Sequence, residues 1–124
     1  MAKILIVDDS PTDVQYLKSV LQPLGHSLAV AVDGEEGERM IKAEPYDLAI
    51  LDVVMPKKNG FQLCRDIKKN EELKHIPVLI LTSKDQDSDK LWGEKQGADF
   101  YLKKSGDAMD LLVAIKKLLA RKEA

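Results

Sequence analysis

The sequence is poor in the features that would tie a chain to a disulfide framework, a membrane or a nucleic acid. Cys64 is its single cysteine, which excludes an intrachain disulfide and a thiolate metal cage. The plainer expectation for it is a half-buried thiol on a helix. No apolar run approaches the ~20 residues of a membrane span. The opening Met1-Ala2-Lys3-Ile4 runs straight into a strand-like segment and then acids, unlike a signal peptide, so a cytoplasmic location is expected. An excess of one charge sign is lacking: 19 basic and 21 acidic residues leave a formal net charge of -2. That asymmetry is too small to point to nucleic acid or an anionic membrane. Neither a Walker-type loop nor a dinucleotide fingerprint occurs. Low-complexity stretches and linkers are absent as well. His26 and His75 stand isolated near element ends and are given no group-transfer role.

What is there suits one soluble globular domain spanning residues 1–124. The hydrophobic fraction is 44% and the charged fraction 32%, both ordinary for a folded chain. A chain of this length buries roughly two-thirds of the surface its unfolded form exposes. Two kinds of segment alternate. Short apolar runs read as strands covered on both faces: Lys3 to Val7, Ser27 to Val32, Asp47 to Leu51, Pro77 to Leu81 and Ala98 to Leu102. Longer segments between them have helical spacing. Val14, Leu17, Val20, Leu21 and Leu24 follow the 3,4 pattern up to Gly25, and Asp110 to Leu119 repeats it. Ser10 with Pro11 behind it, Asp33 and Asp107 read as helix N-caps. Gly25, Gly97 and Asn59-Gly60 punctuate the joins. Five βα units predict an α/β fold: a five-stranded parallel sheet, order 2-1-3-4-5, with helices on both faces. In such flavodoxin-like sheets ligands bind beyond the carboxyl ends of the central strands.

Those ends carry a consistent chemistry. The first strand ends in Asp8-Asp9 and the third in Asp52, and the strand order makes these strands neighbours. Three like charges in one crevice repel, and a divalent cation resolves that. Hard oxygen ligands suit Mg²⁺, which keeps several waters and takes one or two carboxylates. The fourth strand ends in Thr82-Ser83, which adds hydroxyls, and the fifth leads to Lys103-Lys104, which adds an ammonium. Acids, hydroxyl and lysine around a metal suit a transferring phosphoryl group. Taken singly, each part has a plainer explanation as a helix cap, a turn residue or a solvated charge. Their recurrence at the ends of four strands carries the functional reading.

With these residues in hand, the chain resembles the response-regulator receiver family along its whole length. The matching pieces are ILIVDDS (Ile4 to Ser10), DLAILDVVMPKKNG (Asp47 to Gly60), PVLILTS (Pro77 to Ser83) and GADFYLKK (Gly97 to Lys104). KDQDSDKLWGEKQGADFYL (Lys84 to Leu102) is similar to the single-domain receivers of chemotaxis-type systems that control twitching motility and type IV pili. The resemblance implies that Asp52 attacks the phosphorus of a phosphohistidine on a partner kinase. It implies that Asp9, Asp52 and the backbone carbonyl of Val54 ligate Mg²⁺, with Asp8 acting through metal-bound water. Thr82 and Lys104 would bind phosphoryl oxygens, and Tyr101 would be the aromatic switch that turns inward as Thr82 moves. Asn59 and Gly60 are expected to shape the loop above the site. Val54 and Lys84 flank it and are expected to tune the lifetime of the phosphoryl group.

One position departs from the family. A proline, with a cis bond before it, usually follows the switch lysine; here Ser105 and Gly106 follow Lys104. A cis bond before a non-proline residue costs ~2.5–4 kcal/mol. A trans Lys104–Ser105 bond with a displaced loop is therefore expected, Gly106 supplying the freedom.

A stand-alone monomeric receiver is expected to signal through its surface, on a face made by the fourth helix, the fifth strand and the last helix. Its partners would be a histidine kinase or phosphotransfer domain, a downstream protein target and a phosphatase, without DNA or membrane contact. Trp92 in the fourth helix is read either as core packing or as a partner contact. Lys116, Lys117, Arg121 and Lys122 are read as a solvated helix end. Three competing readings remain. An aspartate-nucleophile phosphatase tends to carry a second acid two residues after the nucleophile, where this chain has Val54, so turnover of a foreign substrate is not expected. A flavodoxin-type electron carrier needs a first loop that the acidic Asp8-Asp9-Ser10-Pro11 does not provide. A degenerate receiver, binding partners without phosphorylation, is kept in play by Ser105.

Overall fold

Among the described residues, the apolar runs become strands, and helices pack on both faces of the sheet. The computed structural model describes residues 2–53, 59–82, 97–103 and 108–123, with the backbone alone at Thr82 and residues 121–123. Strands β1 (Lys3–Val7), β2 (Ser27–Ala31), β3 (Leu48–Asp52), β4 (Val78–Thr82) and β5 (Phe100–Lys103) form one parallel sheet. Their order is β2-β1-β3-β4-β5, as expected. The described helices are α1 (Pro11–Leu21), α2 (Gly34–Ala43), α3 (Gly60–Lys69) and the carboxy-terminal α4 (Ala108–Glu123). The helix expected around Trp92 and the cap expected at Asp107 lie outside the described residues.

Side-chain alternation along the strands divides the core in two. Leu5, Val7, Ala49, Leu51, Val78 and Ile80 face Ile41 of α2 and Leu63, Cys64 and Ile67 of α3. Ile4, Ile6, Leu48, Ile50, Leu79 and Leu81 face Leu17 and Leu21 of α1 and Leu111, Ile115 and Leu118 of α4. The central strands are therefore covered on both faces. β2 is not: four of its five positions keep some exposure, because it is an edge strand. Val32, expected to end that strand, lies beyond it and is 53% exposed.

Helix starts follow local chemistry. Ser10 caps α1, its Oγ accepting the Asp13 N–H at 3.3 Å, with Pro11 behind it. Asp33 caps α2 through the Glu36 N–H at 2.8 Å. Asn59 begins α3 with a reciprocal capping box: Asn59 Oδ1 accepts the Gln62 N–H at 2.9 Å, and Gln62 Oε1 accepts the Asn59 N–H at 3.1 Å. The first helix stops before Gly25. It ends at Leu21 and tightens into a 3-10 turn over Gln22–Leu24, since Pro23 has no N–H to continue an α-helix. Gly25 then turns the chain at φ 86°.

Three strand starts are shifted from the expected ones because a side chain or a proline intervenes. Asp47 precedes β3 and uses its carboxylate to accept the Lys3 N–H at 2.8 Å. Pro77, lacking an N–H, precedes β4 and contributes its carbonyl to Ala49 N–H at 3.0 Å. Ala98 and Asp99 precede β5, Asp99 accepting the Val78 N–H at 2.8 Å.

Candidate metal and phosphoryl-acceptor site

β1 and β3 are neighbours in register from Ile4↔Leu48 to Val7↔Leu51. Beyond that point the pairing of β1 with β3 stops, while β3 continues one residue to Asp52, opposite Leu81 of β4. The acids stand where that pairing stops. Among the described residues, Asp8 and Asp52 are the buried charged groups, at 3% and 7% exposure; Asp9 is exposed. Each of the three offers a carboxylate oxygen, and these oxygens lie within 4.8 Å of one another. Asp8 is oriented by its own turn. Its Oδ1 accepts the Ser10 N–H at 2.9 Å, and its backbone N–H donates to the Ala31 carbonyl at 3.0 Å.

The donor set fits Mg²⁺. Opposite ligands of an octahedral ion lie about 4.2 Å apart and adjacent ones about 3 Å. The carboxylates can therefore meet one ion with a small contraction, or with one of them reaching it through water. Repulsion between two carboxylates at this separation is on the order of 1–3 kcal/mol in a partly solvated site, which a bound cation would offset. The described cluster is all oxygen, with no thiolate in reach. Cys64, expected to be half-buried, is fully buried on α3, because its position faces the sheet between Leu63 and Ile67. Burial pushes its thiol up to about 12, so it stays protonated and inert.

The remaining expected site residues divide by where they fall. Thr82 ends β4, in register with Lys103 of β5. Tyr101 is half-buried against the α2 and α3 side of the core, and its hydroxyl is buried. Val54, Ser83, Lys84, Lys104, Ser105 and Gly106 lie outside the described residues, as does Trp92.

A pair that the sequence reading missed fixes the start of β5. The Lys68 ammonium on α3 donates to Asp99 Oδ2 at 2.7 Å and to the Ile76 carbonyl at 2.8 Å. Gly97, at φ 90°, rests on the methylene stem of Lys68. No short-range pattern announces this pair, since its members are far apart in the chain. At the start of β1, Lys3 pairs with Glu44 and lies 5.0 Å from the Tyr46 ring centroid. Its ammonium is raised above its ordinary range chiefly by that hydrogen bond.

Comparison with known proteins agrees with this geometry. Protein PilH of Pseudomonas aeruginosa is 46% identical over 120 residues, covering 97% of this chain and 99% of PilH. The gliding motility regulatory protein of Myxococcus xanthus is 40% identical over 117 residues, covering 94% of this chain but 15% of that much longer protein. Among solved structures, the chemotaxis protein CheY4 of Vibrio cholerae superimposes with a TM-score of 0.87 at 31% identity, covering 95% of this chain and 98% of that one. The response regulator receiver domain matches residues 4–116, and the chain belongs to that family of two-component signalling modules.

Proposed function

We propose that this receiver acts in motility or pilus control, taking a phosphoryl group on Asp52 from a chemotaxis-type histidine kinase or phosphotransfer domain. The observation that carries the reading is the carboxylate trio at the ends of β1 and β3. Its pathway is argued from the likeness to PilH along nearly the whole chain and to a gliding motility regulator. Asp9 and Asp52 would hold Mg²⁺ directly, Asp8 through water, and the Val54 carbonyl would complete the protein ligands. Bound there, the ion would neutralise the carboxylates and polarise the phosphoryl oxygens.

A carboxylate oxygen of Asp52 attacks the phosphorus of the partner's phosphohistidine. The new P–O bond forms as the P–N bond breaks, and the leaving imidazole takes up a proton. Thr82 and Lys104 bind the phosphoryl oxygens after transfer, and Tyr101 responds on the α2 and α3 side of the sheet. Phosphorylation then shifts an existing equilibrium of the face that includes β5 and α4, where Met109 and Val113 are exposed. Residues 1–124 act as one receiver unit in the cytoplasm, with a target protein and a phosphatase as further partners.

The test is intact mass after incubation with Mg²⁺ and a small acyl-phosphate donor. Gain of one phosphoryl group by the native chain, absent in Asp52→Asn and abolished by chelation, is the expected outcome. A native chain that binds Mg²⁺ but gains no mass even with phosphorylated kinase would count for phosphorylation-independent binding instead.

A further inference from the structure

The geometry points to Gly60 as a positioning residue for Asp52, an inference that rests on reading Asp8, Asp9 and Asp52 as a Mg²⁺ site. Gly60 is the first residue of α3 and lies against the backbone of the acceptor itself. A Cβ at this position would stand 2.1 Å from the Asp52 carbonyl oxygen, 2.8 Å from its carbon and 3.2 Å from Val53 Cα. The obstacle is main chain, which cannot swing aside as the tip of a side chain can. The glycine is needed for approach and not for backbone conformation: the positive-φ glycines among the described residues are Gly25 and Gly97.

The same residue donates its N–H to the Val53 carbonyl at 3.1 Å. Gly60 therefore covers the carbonyl of the acceptor and satisfies the carbonyl of the residue after it. Strand pairing does not do this on the β1 side, because the β1 ladder stops at Val7↔Leu51. The seat of α3 takes over where the β1 pairing stops. That seat is held from two directions. The capping box of Asn59 and Gln62 sets the helix start, and Phe61, Leu63, Cys64 and Ile67 bury the helix against the sheet. The direction of the Asp52 side chain follows from the peptide planes on either side of its Cα, and Gly60 clamps the outer one. A misplacement of 1 Å at a reacting group costs roughly 10²-fold in rate.

The experiment measures Mg²⁺ affinity by calorimetry, and then the phosphorylation rate at saturating Mg²⁺, for the native chain and three variants. Gly60→Ala tests the clamp. Gly37→Ala is the matched control: its Cβ meets side-chain atoms of Val7 at 2.9 Å and Leu63 at 3.1 Å, so it strains the core without touching Asp52. Asn59→Ala with Gln62→Ala loosens the helix start at positions that remain partly exposed or exposed, which keeps the test alive should Gly60→Ala not fold. Expected are about a tenfold loss of Mg²⁺ affinity and about a 100-fold loss of rate for Gly60→Ala. The double variant should lose severalfold affinity, and Gly37→Ala should keep both quantities while melting lower. A folded Gly60→Ala, or the double variant in its place, that matches the native affinity and rate overturns the inference alone. A native chain that binds no Mg²⁺ overturns the metal reading and this inference with it.

Discussion

Separating Lys68 from Asp99 should loosen the start of β5, and the cost can be worked from the geometry. The pair is short, at 2.7 Å, and its side chains are 18% and 20% exposed. A hydrogen bond to a charged group contributes about 1.5–3 kcal/mol, whereas a fully exposed pair contributes at most about 1 kcal/mol. A coupling of about 1.5 kcal/mol is expected from a double-mutant cycle of Lys68→Met and Asp99→Asn. Met keeps the methylene stem on which Gly97 rests, so packing is retained and the ammonium is what is lost. Lys68 also donates to the Ile76 carbonyl, so Lys68→Met should cost about 3 kcal/mol against about 2 kcal/mol for Asp99→Asn. With an unfolding entropy near 2.1 cal/mol/K per residue, these losses lower Tm by about 12 °C and about 8 °C. Urea unfolding of the four proteins, followed by far-UV circular dichroism, reads the cycle. A coupling below about 0.5 kcal/mol, or one that vanishes in molar salt, would refute a partly buried clamp and leave an ordinary surface pair.

Two further outcomes follow from local chemistry. Ser10→Ala removes the Oγ that accepts the Asp13 N–H and should cost about 1 kcal/mol in urea unfolding. The backbone N–H that orients Asp8 survives, so Mg²⁺ affinity should hold; a large loss would mean that the hydroxyl serves the site. Burial holds the Cys64 thiol at about 12 in the folded chain, above its value once unfolded. Between those values the unfolded chain releases the proton and the folded chain keeps it, so stability falls as pH rises. The slope due to this group reaches about 1.4 kcal/mol per pH unit. Urea midpoints from about pH 8 to about pH 11 should therefore fall more steeply for the native chain than for Cys64→Ala, and parallel profiles would disprove the burial effect.

Much of this arrangement is legible along the chain because its causes are local. Doubly covered strands need unbroken apolar runs, and ILIV and LAIL supply them. Helix starts need a side-chain acceptor just before the first turn, and Ser10, Asp33 and Asn59 provide one. The five alternating units lead to the observed strand order, and that order brings the Asp8-Asp9 pair beside Asp52. The same reasoning stops where exposure depends on neighbours. The apolar run of β2 suggests cover on both faces, yet its position at the sheet edge leaves it partly open. A lone cysteine on a helix suggests a half-buried thiol, yet the rotation of α3 buries Cys64.

By itself, then, the sequence determined the element types, their order, the helix caps and the acids at the strand ends, since each follows from residues a few positions apart. Only the tertiary structure decided that Gly60 seats α3 on the Asp52 carbonyl, that Lys68 finds Asp99, that Asp47 anchors the start of β1, and that three carboxylates come within 4.8 Å of one another. These contacts join segments distant in the chain. Strand register and helix seating set their distances, and no short-range pattern encodes either.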